Sequence, residues 1–104
     1  MPKFMFAYHG GSTPETQEEG EKVMAAWMSW MSANGASMVD PGNPVGQSAT
    51  LTKAGLSAGG GANPLSGYSI IEADTLEAAA EIGKGCPILD DADGSIEIAQ
   101  IHEM

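Results

Sequence analysis

Arginine is absent from this chain, and lysine is scarce. Fourteen acidic residues face four lysines, which gives a formal charge of −10 over 104 residues. Nucleic acids and anionic membrane surfaces are held mainly by basic side chains, so both are disfavoured as partners. Arginine is also the usual bidentate ligand of carboxylates and phosphates. Its absence argues against a strongly anionic substrate, unless backbone amides bind it.

Cysteine and long apolar runs are also in short supply. Cys86 is the single cysteine, so no disulfide can form within the chain, and we expect a buried structural thiol. No segment approaches the ~18 apolar residues of a membrane span. The apolar run at the N-terminus is too short for a signal peptide. These absences predict a cytoplasmic protein, and the length is that of one domain, residues 1–104.

Ligand spacings typical of metal and phosphate sites are missing as well. His9 and His102 are far apart, and no His-x-His or Cys-x-x-Cys pair accompanies them. The aspartates of segment 90–94 lack the further acids that a calcium loop needs. The glycines at 59–61 lack the lysine and hydroxyl of a phosphate loop and are interpreted as a connector, with a lid over a pocket as the alternative. We expect neither a metal nor a cofactor.

What the chain does contain begins with a strand and a helix. Residues 3–9 are apolar on both faces, which predicts a central strand. Thr13 and Pro14 predict the start of a helix spanning residues 14–34, and Asn34-Gly35 predicts a left-handed cap at its end. The helix is expected to bury an apolar stripe made of Val23, Trp27, Trp30 and Met31, widened by Met24 and Met28.

The remaining segments complete a βαββαβ order. Predicted in turn are a strand at 36–40, an exposed or edge strand at 47–53, a flexible connector at 55–64, a strand at 67–73, a helix from an Asp74–Glu77 capping box to near Gly83, and a strand at 95–102. This order is that of ferredoxin-like α+β domains with an antiparallel sheet. Two helices cover one face of such a sheet. The other face is apolar here, so we expect a two-fold homodimer.

Four ordered segments of the chain carry a family resemblance. They are the opening Lys-Phe-Met-Phe-Ala-Tyr-His-Gly-Gly, the Trp-x-x-Trp-Met helix leading to Gly-Ala-x-x-Val-Asp-Pro-Gly-Asn-Pro, the segment Ser-Gly-Tyr-Ser-Ile-Ile-Glu-Ala, and Gly-Cys-Pro before the last strand. In combination they resemble the YCII-related family of small dimeric α/β-barrel proteins. The resemblance spans nearly the whole chain and implies a ferredoxin-like protomer whose sheet packs face to face with that of a second copy.

The resemblance also bears on activity. Some members look like lyases, such as dehydrochlorinases of small ring compounds, in which a histidine on the first helix pairs with an aspartate after the second strand. Asp40 matches that aspartate. The helix at residues 14–34 contains no histidine, and the Asp-Gly-Pro-Phe motif of a sister group is missing. The resemblance therefore implies either a degenerate lyase-like enzyme or a binding protein that has lost the chemistry.

The predicted topology also suggests a pocket. His9 and Asp40 end two strands that run in the same direction, so we expect them at one edge of the sheet, roughly 10 Å apart. An imidazole and a carboxylate suit general acid–base chemistry. The candidate catalytic residues are Asp40 and His9, and the candidate ligand-binding residues are Trp27, Trp30, Ser66 and Tyr68.

These residues also have plain structural interpretations. His9 merely ends a strand, Asp40 caps the turn that follows it, and the tryptophans belong to the core. The sequence thus predicts a dimeric protein that binds a small neutral or aromatic molecule, with enzymatic activity left open. The alternatives are a dimeric binding module without catalysis and a protein-interaction module that presents an acidic helix surface to a basic partner. That surface consists of Glu15, Glu18, Glu19 and Glu21.

Overall fold

The chain folds as a four-stranded antiparallel sheet with two α-helices. The computed structural model describes residues 1–11, 15–61 and 63–103. The strands are β1 (Lys3–His9), β2 (Met38–Asp40), β3 (Ala49–Thr52), β4 (Gly55–Ala58), β5 (Leu65–Glu72) and β6 (Ser95–Ile101); the helices are α1 (Gln17–Ala33) and α2 (Leu76–Gly83), and a short 3-10 helix spans Pro87–Asp90. None of the described helices combines the length and apolarity needed to cross a membrane.

The order of the strands in the main sheet is β2-β5-β1-β6. Strand β1 pairs antiparallel with β5 and β6, and β2 pairs antiparallel with β5. Strands β1 and β2 therefore run in the same direction, with β5 between them. The protein is an α+β fold with an antiparallel sheet, compatible with the ferredoxin-like order predicted above.

Alternation along β1 separates the two faces of this sheet. Phe4, Phe6 and Tyr8 are buried and pack with Trp30 of α1 and Ala79 of α2. We call this side the helix face. Successive side chains of a strand point to opposite sides, so the register assigns a second set to the other side, which we call the open face: Met5, Ala7 and His9 of β1, Ser66, Tyr68 and Ile70 of β5, and Glu97, Ala99 and Ile101 of β6.

Helix α1 differs from its prediction at the N-terminus and along its stripe. The predicted start at Thr13 and Pro14 lies outside the described residues. The helix begins at Gln17 and is capped by Thr16, whose Oγ1 accepts from the backbone N–H of Glu19 at 3.1 Å. Trp30 is buried and Trp27 and Met31 pack against the core, as expected. The stripe was wrong at its other members, which are 45–62% exposed: Val23, Met24 and Met28.

The two helix ends that were predicted from cap residues also need correction. Asn34 has φ −113°, and no residue other than glycine has positive φ among the described residues, so the left-handed cap at Asn34-Gly35 is wrong. Instead, the Asn34 side-chain amide donates to the Trp30 carbonyl at 2.9 Å. The N-cap of α2 is Thr75 rather than Asp74, because the extended Thr75 places its hydroxyl 3.0 Å from the Ala78 amide.

Strands β3 and β4 form a separate two-stranded hairpin, which we call the ribbon. The exposed strand predicted at 47–53 corresponds to β3. The flexible connector predicted at 55–64 was wrong over residues 55–58, which form β4. Small residues and glycine dominate that segment, so its sequence carries little strand propensity, and pairing with β3 supplies the order.

Candidate functional site

His9 is the most constrained of the predicted site residues. It ends β1 on the open face, yet it is only 7% exposed. Its Nδ1 lies 2.9 Å from the Asn63 carbonyl oxygen and 3.2 Å from that of Pro64, and its Nε2 lies 3.3 Å from Oε1 of Glu97. The imidazole is therefore held from both sides, by the chain that follows the ribbon and by a carboxylate on β6.

The partners of His9 define which atoms donate. Carbonyl oxygens only accept, so Nδ1 carries a proton and donates to them. On the other side of the ring, Nε2 faces the Glu97 carboxylate. The Glu97 side chain that faces the ring is itself 72% exposed.

Asp40 does not share an edge with His9. Its Oδ1 accepts from the Gly42 amide at 2.8 Å, so the carboxylate caps its own turn. By register Asp40 lies beside Ile70, which in turn is opposite Met5. His9 is four residues further along β1, about 14 Å away in that direction and about 10 Å across the strands. The expected common rim is therefore wrong, because β2 ends near the middle of the sheet.

The two tryptophans lie on the helix face, on the opposite side of the sheet from His9. Trp27 meets Tyr8 edge-on at 5.1 Å between ring centroids, and Trp30 stacks on Phe6 at 6.5 Å. The Trp30 indole N–H donates to the Ile82 carbonyl at 2.9 Å. Their expected role as a pocket wall beside His9 is not met, and their structural interpretation as core residues describes these contacts.

Ser66 and Tyr68 do lie on the same face as His9. His9 pairs with Leu65 and Tyr8 with Gly67, so Ser66 sits in a β-bulge beside His9, and Tyr68 is opposite Ala7. The Ser66 hydroxyl oxygen is buried without a hydrogen-bond partner among the described residues. The structure thus brings together three of the six predicted residues and adds Glu97.

Glu97 was missed because its position depends on register. The predicted fold puts the last strand next to the first, but only the observed pairing of Glu97 with Ala7 brings this carboxylate within reach of the imidazole. Glu97 is the one acid within β6, and this was the one available signal. We call the group His9, Ser66, Tyr68 and Glu97 the imidazole cluster.

The helix face contains a buried chain of hydroxyls instead of an acid–base pair. The Tyr8 hydroxyl donates to Ser69 Oγ at 2.8 Å, and Ser69 donates to the Pro41 carbonyl at 2.7 Å. Burial raises the pKa of the Tyr8 phenol well above its ordinary value, which the Ser69 hydrogen bond offsets in part. Burial likewise raises the pKa of the Cys86 thiol to about 11. The thiol is therefore protonated at neutral pH, as expected of a structural cysteine.

The open grooves lie along α1, away from the imidazole cluster. One of about 560 Å³ follows a helical stripe with two methionines at its centre: Gln17, Gly20, Glu21, Met24, Ala25 and Met28. A second, of about 370 Å³, continues past the end of the helix: Met28, Met31, Ser32, Gly35, Met38 and Pro41. Thioether side chains adapt to irregular apolar partners, so this stripe is a further candidate surface.

Neither the metal-ligating residue types among the described residues nor a comparison with known proteins assigns a function to this chain. No group of three histidine, cysteine or acidic residues within 1–11, 15–61 and 63–103 is arranged to hold a metal ion. Comparison with family models, characterised proteins and solved structures finds no match to this chain. The function is therefore argued from the geometry of its own residues.

Proposed function

We propose that this chain is a homodimeric small-molecule-binding protein of the YCII-related type. In this proposal the open faces of two protomers pack together as in a dimeric α/β barrel. One observation carries it: the protomer exposes 7160 Å², whereas a monomeric protein of 10.7 kDa is expected to expose about 5,500 Å². A surplus of about 1,600 Å² on each protomer is comparable with the area that each protomer of an obligate homodimer buries.

The composition of the open face supports the same arrangement. Its centre is apolar, because Met5 of β1 pairs with Ile70 of β5 on one side and with Ala99 of β6 on the other. The protein is also thin, 43 × 42 × 20 Å, which corresponds to one layer of helices on one sheet. Met5 is exposed on this face and Ile70 and Ala99 are partly exposed, and a partly exposed apolar patch is typical of a surface that packs on another protein.

The imidazole cluster supports the proposal of a ligand site at one end of this interface. Tyr68 is half-buried and pairs with Ala7, which is two residues before His9 on β1. A second protomer over this end would remove the cluster from bulk water, which strengthens polar contacts to a ligand. The chain charge of −10 disfavours anions, so the proposed ligand is small and neutral or aromatic. The proposed compartment is the cytoplasm.

Binding is favoured over catalysis by the contacts of His9 and Asp40. Both imidazole nitrogens already face oxygen atoms of the protein, the Asn63 carbonyl on one side and the Glu97 carboxylate on the other. Asp40 is engaged with the Gly42 amide and lies far from His9. The lyase-like pair of histidine and aspartate therefore has no counterpart among these contacts.

The dimer is tested by sedimentation equilibrium on the wild-type protein and on Ile70→Asp. We expect a dimer for the wild type and a monomer for the variant, because a carboxylate at the centre of the open face cannot be buried unpaired. Leu76→Asp on α2, a leucine that is 49% exposed, is the matched control and should remain dimeric. A wild-type protein that stays monomeric at all accessible concentrations overturns the proposal.

The ligand is tested by following the His9 ring resonances during titration with neutral aromatic compounds. Binding at the imidazole cluster shifts these resonances, whereas those of His102 serve as the internal control. Absence of any shift across such a panel, in a protein confirmed as a dimer, removes the ligand and leaves the dimer.

A protein-interaction module is the second candidate, and the methionine groove on α1 favours it. Met24 and Met28 are 62% and 61% exposed and are preceded by the acidic first turns of the helix. Such a groove suits a basic amphipathic helix. If a basic amphipathic peptide binds, and binds more weakly in added salt and to Met24→Glu, the result supports this alternative. Binding that changes with neither salt nor the substitution argues against it.

A further inference from the structure

The ribbon has one apolar and one polar face. Leu51 is directly opposite Leu56, and Ala49 opposite Ala58, so these four side chains share one side of the hairpin. The other side carries Thr50 opposite Ser57 and Thr52 opposite Gly55. Every residue of both strands is exposed, and the two leucines are 77% and 72% exposed. The leucines are thus more exposed than Met5 of the open face, which is 41% exposed.

A ribbon of this kind is not expected to be stable alone. Two-stranded hairpins are marginal in water, and they gain stability when a hydrophobic face packs on something else. The sequence nevertheless sorts apolar and polar residues strictly onto opposite faces over both strands. Such sorting is useful only when the apolar face is covered.

We propose that the ribbon is an arm that packs its apolar face onto a second copy of this chain. The inference rests on the homodimer proposed above and adds the segment that clasps it. The arm leaves the sheet next to the open face, because the chain that follows it contacts His9 through the Asn63 and Pro64 carbonyls. A partner seated on the open face is therefore within reach of the arm.

Charge favours a second copy as the occupant. Residues 41–65 carry Lys53 and no acidic residue, whereas the rest of the chain carries all fourteen acids and three lysines. Lys53 lies in the turn of the ribbon, between β3 and β4. The two acidic bodies of a dimer repel each other, and an arm with a positive tip relieves part of that repulsion. An anionic membrane would attract the tip but repel the body.

The arm also adds residues to the imidazole cluster. The chain that follows the arm already contacts Nδ1 of His9 in the same protomer, through the Asn63 carbonyl oxygen. In a two-fold dimer each arm reaches the other copy, so the site at the end of one open face is completed by leucines from the partner's arm.

The test compares two double variants with the same charge change. Leu51→Asp with Leu56→Asp places a carboxylate pair on the apolar face, and Thr50→Asp with Ser57→Asp places one on the polar face of the same hairpin. We expect the first to weaken dimerisation by about a hundredfold or more, since each arm loses two buried leucines. The second should change it by less than about threefold. Sedimentation equilibrium measures both.

Each outcome separates the arm from the dimer. If both variants dimerise like the wild type while Ile70→Asp is monomeric, the arm is wrong and the dimer stands. If the two ribbon variants weaken dimerisation equally, charge rather than the leucines is responsible, and the proposed packing of the apolar face is overturned. A monomeric wild type overturns the arm together with the dimer.

Cross-linking gives a second measurement that does not depend on affinity. A photo-reactive label is attached to Leu56→Cys; the buried, protonated Cys86 remains unlabelled at neutral pH. In a mixture of isotopically light and heavy protein, an arm that packs on a second copy yields light–heavy cross-linked peptides. Cross-links confined to one isotope overturn the proposal, since they place the arm on its own protomer.

Discussion

The two faces of the main sheet differ in how completely one protomer covers them. Phe6 and Met5 are neighbours on β1, yet Phe6 is fully buried on the helix face and Met5 is 41% exposed on the open face. The helix face is closed by aromatic rings from α1 and by α2, all within one chain. The open face exposes Met5, and the ribbon exposes Leu51 and Leu56, which are 77% and 72% exposed. The core of the protomer therefore lies on the helix face, and the surfaces proposed for binding are the open face and the ribbon.

The largest effect is expected on the helix face, from Trp30→Ala. The indole stacks on Phe6 and donates to the Ile82 carbonyl, so its removal leaves both a cavity and an unpaired acceptor. The free energy of unfolding should fall by about 3–5 kcal/mol. Urea titration of a dilute, monomeric sample measures this.

Leu51→Ala on the ribbon sharpens the contrast in the same assay. The leucine is exposed, so the unfolding of the monomer should change by less than about 0.5 kcal/mol. A comparable loss in both variants would contradict the division between a stabilising helix face and a binding ribbon, because it would assign the ribbon to the protomer's own core.

The turn after β2 should be the next most sensitive point. Gly42 has φ +73°, and a Cβ there would lie 1.7 Å from the Tyr68 carbonyl oxygen. Gly42→Ala should destabilise by about 2 kcal/mol or more, through strain and displacement of β5. Gly46, which has nothing within 4 Å of such a Cβ, is the control, and Gly46→Ala should cost less than about 0.5 kcal/mol. Equal effects would indicate that the turn adjusts freely.

The sequence predicted the helix face better than the open face, for a physical reason. Alternation on β1 and the spacing of Trp27 and Trp30 are local patterns, and they were enough to identify the strand and the end of α1 that packs on it. The positions of Asp40 and Glu97 depend on strand register and on where β2 stops. Neither quantity is encoded by a few neighbouring residues, because one shift of register changes every cross-strand contact.

Strand β4 of the ribbon escaped prediction for a related reason. Gly55, Ser57 and Ala58 have weak strand propensity, and the turn at Lys53-Ala54 lacks the Asn-Gly or Asp-Gly pair that marks tight hairpins. Cross-strand pairing with β3 decides the structure of this segment. Its regular alternation of apolar and polar residues on both strands becomes visible once the partners are known.

Alkaline pH should weaken the helix face in a graded way. The folded Cys86 thiol keeps its proton up to about pH 11, whereas the unfolded thiol loses it near 9. Between these values the folded state binds more protons than the unfolded state, so the free energy of unfolding falls as pH rises. Tyr8, whose pKa is also raised by burial, adds to the decline above its ordinary value of 10.0.

The change is measured as the urea midpoint between pH 7 and pH 10.5. Cys86→Ala removes the thiol contribution, so its midpoint should fall less steeply with pH than that of the wild type. Parallel curves for the two proteins would mean that Cys86 does not carry the effect.

Asp40 should behave as a turn residue. Asp40→Ala removes the acceptor of the Gly42 amide and should cost about 1 kcal/mol, whereas Asp40→Asn retains an oxygen acceptor and should cost less. Neither substitution should alter ligand shifts at His9, because the two side chains are remote. A change at the imidazole cluster caused by Asp40→Asn would restore the shared pocket that the register argues against.

The smallest effect again contrasts the two faces, through two serines of β5. The Ser66 hydroxyl on the open face is buried without a partner among the described residues, so Ser66→Ala should raise the free energy of unfolding by up to about 1 kcal/mol. Ser69 on the helix face links Tyr8 to the Pro41 carbonyl, and Ser69→Ala should lower it by about 1–3 kcal/mol. If urea titrations show that the two substitutions change the free energy of unfolding in opposite directions, the Ser66 hydroxyl is unsatisfied in the protomer. An unsatisfied hydroxyl at this position supports the proposed contact with a ligand or partner. If Ser66→Ala is destabilising instead, the hydroxyl already has a partner in the protomer, and the imidazole cluster loses one of its four members.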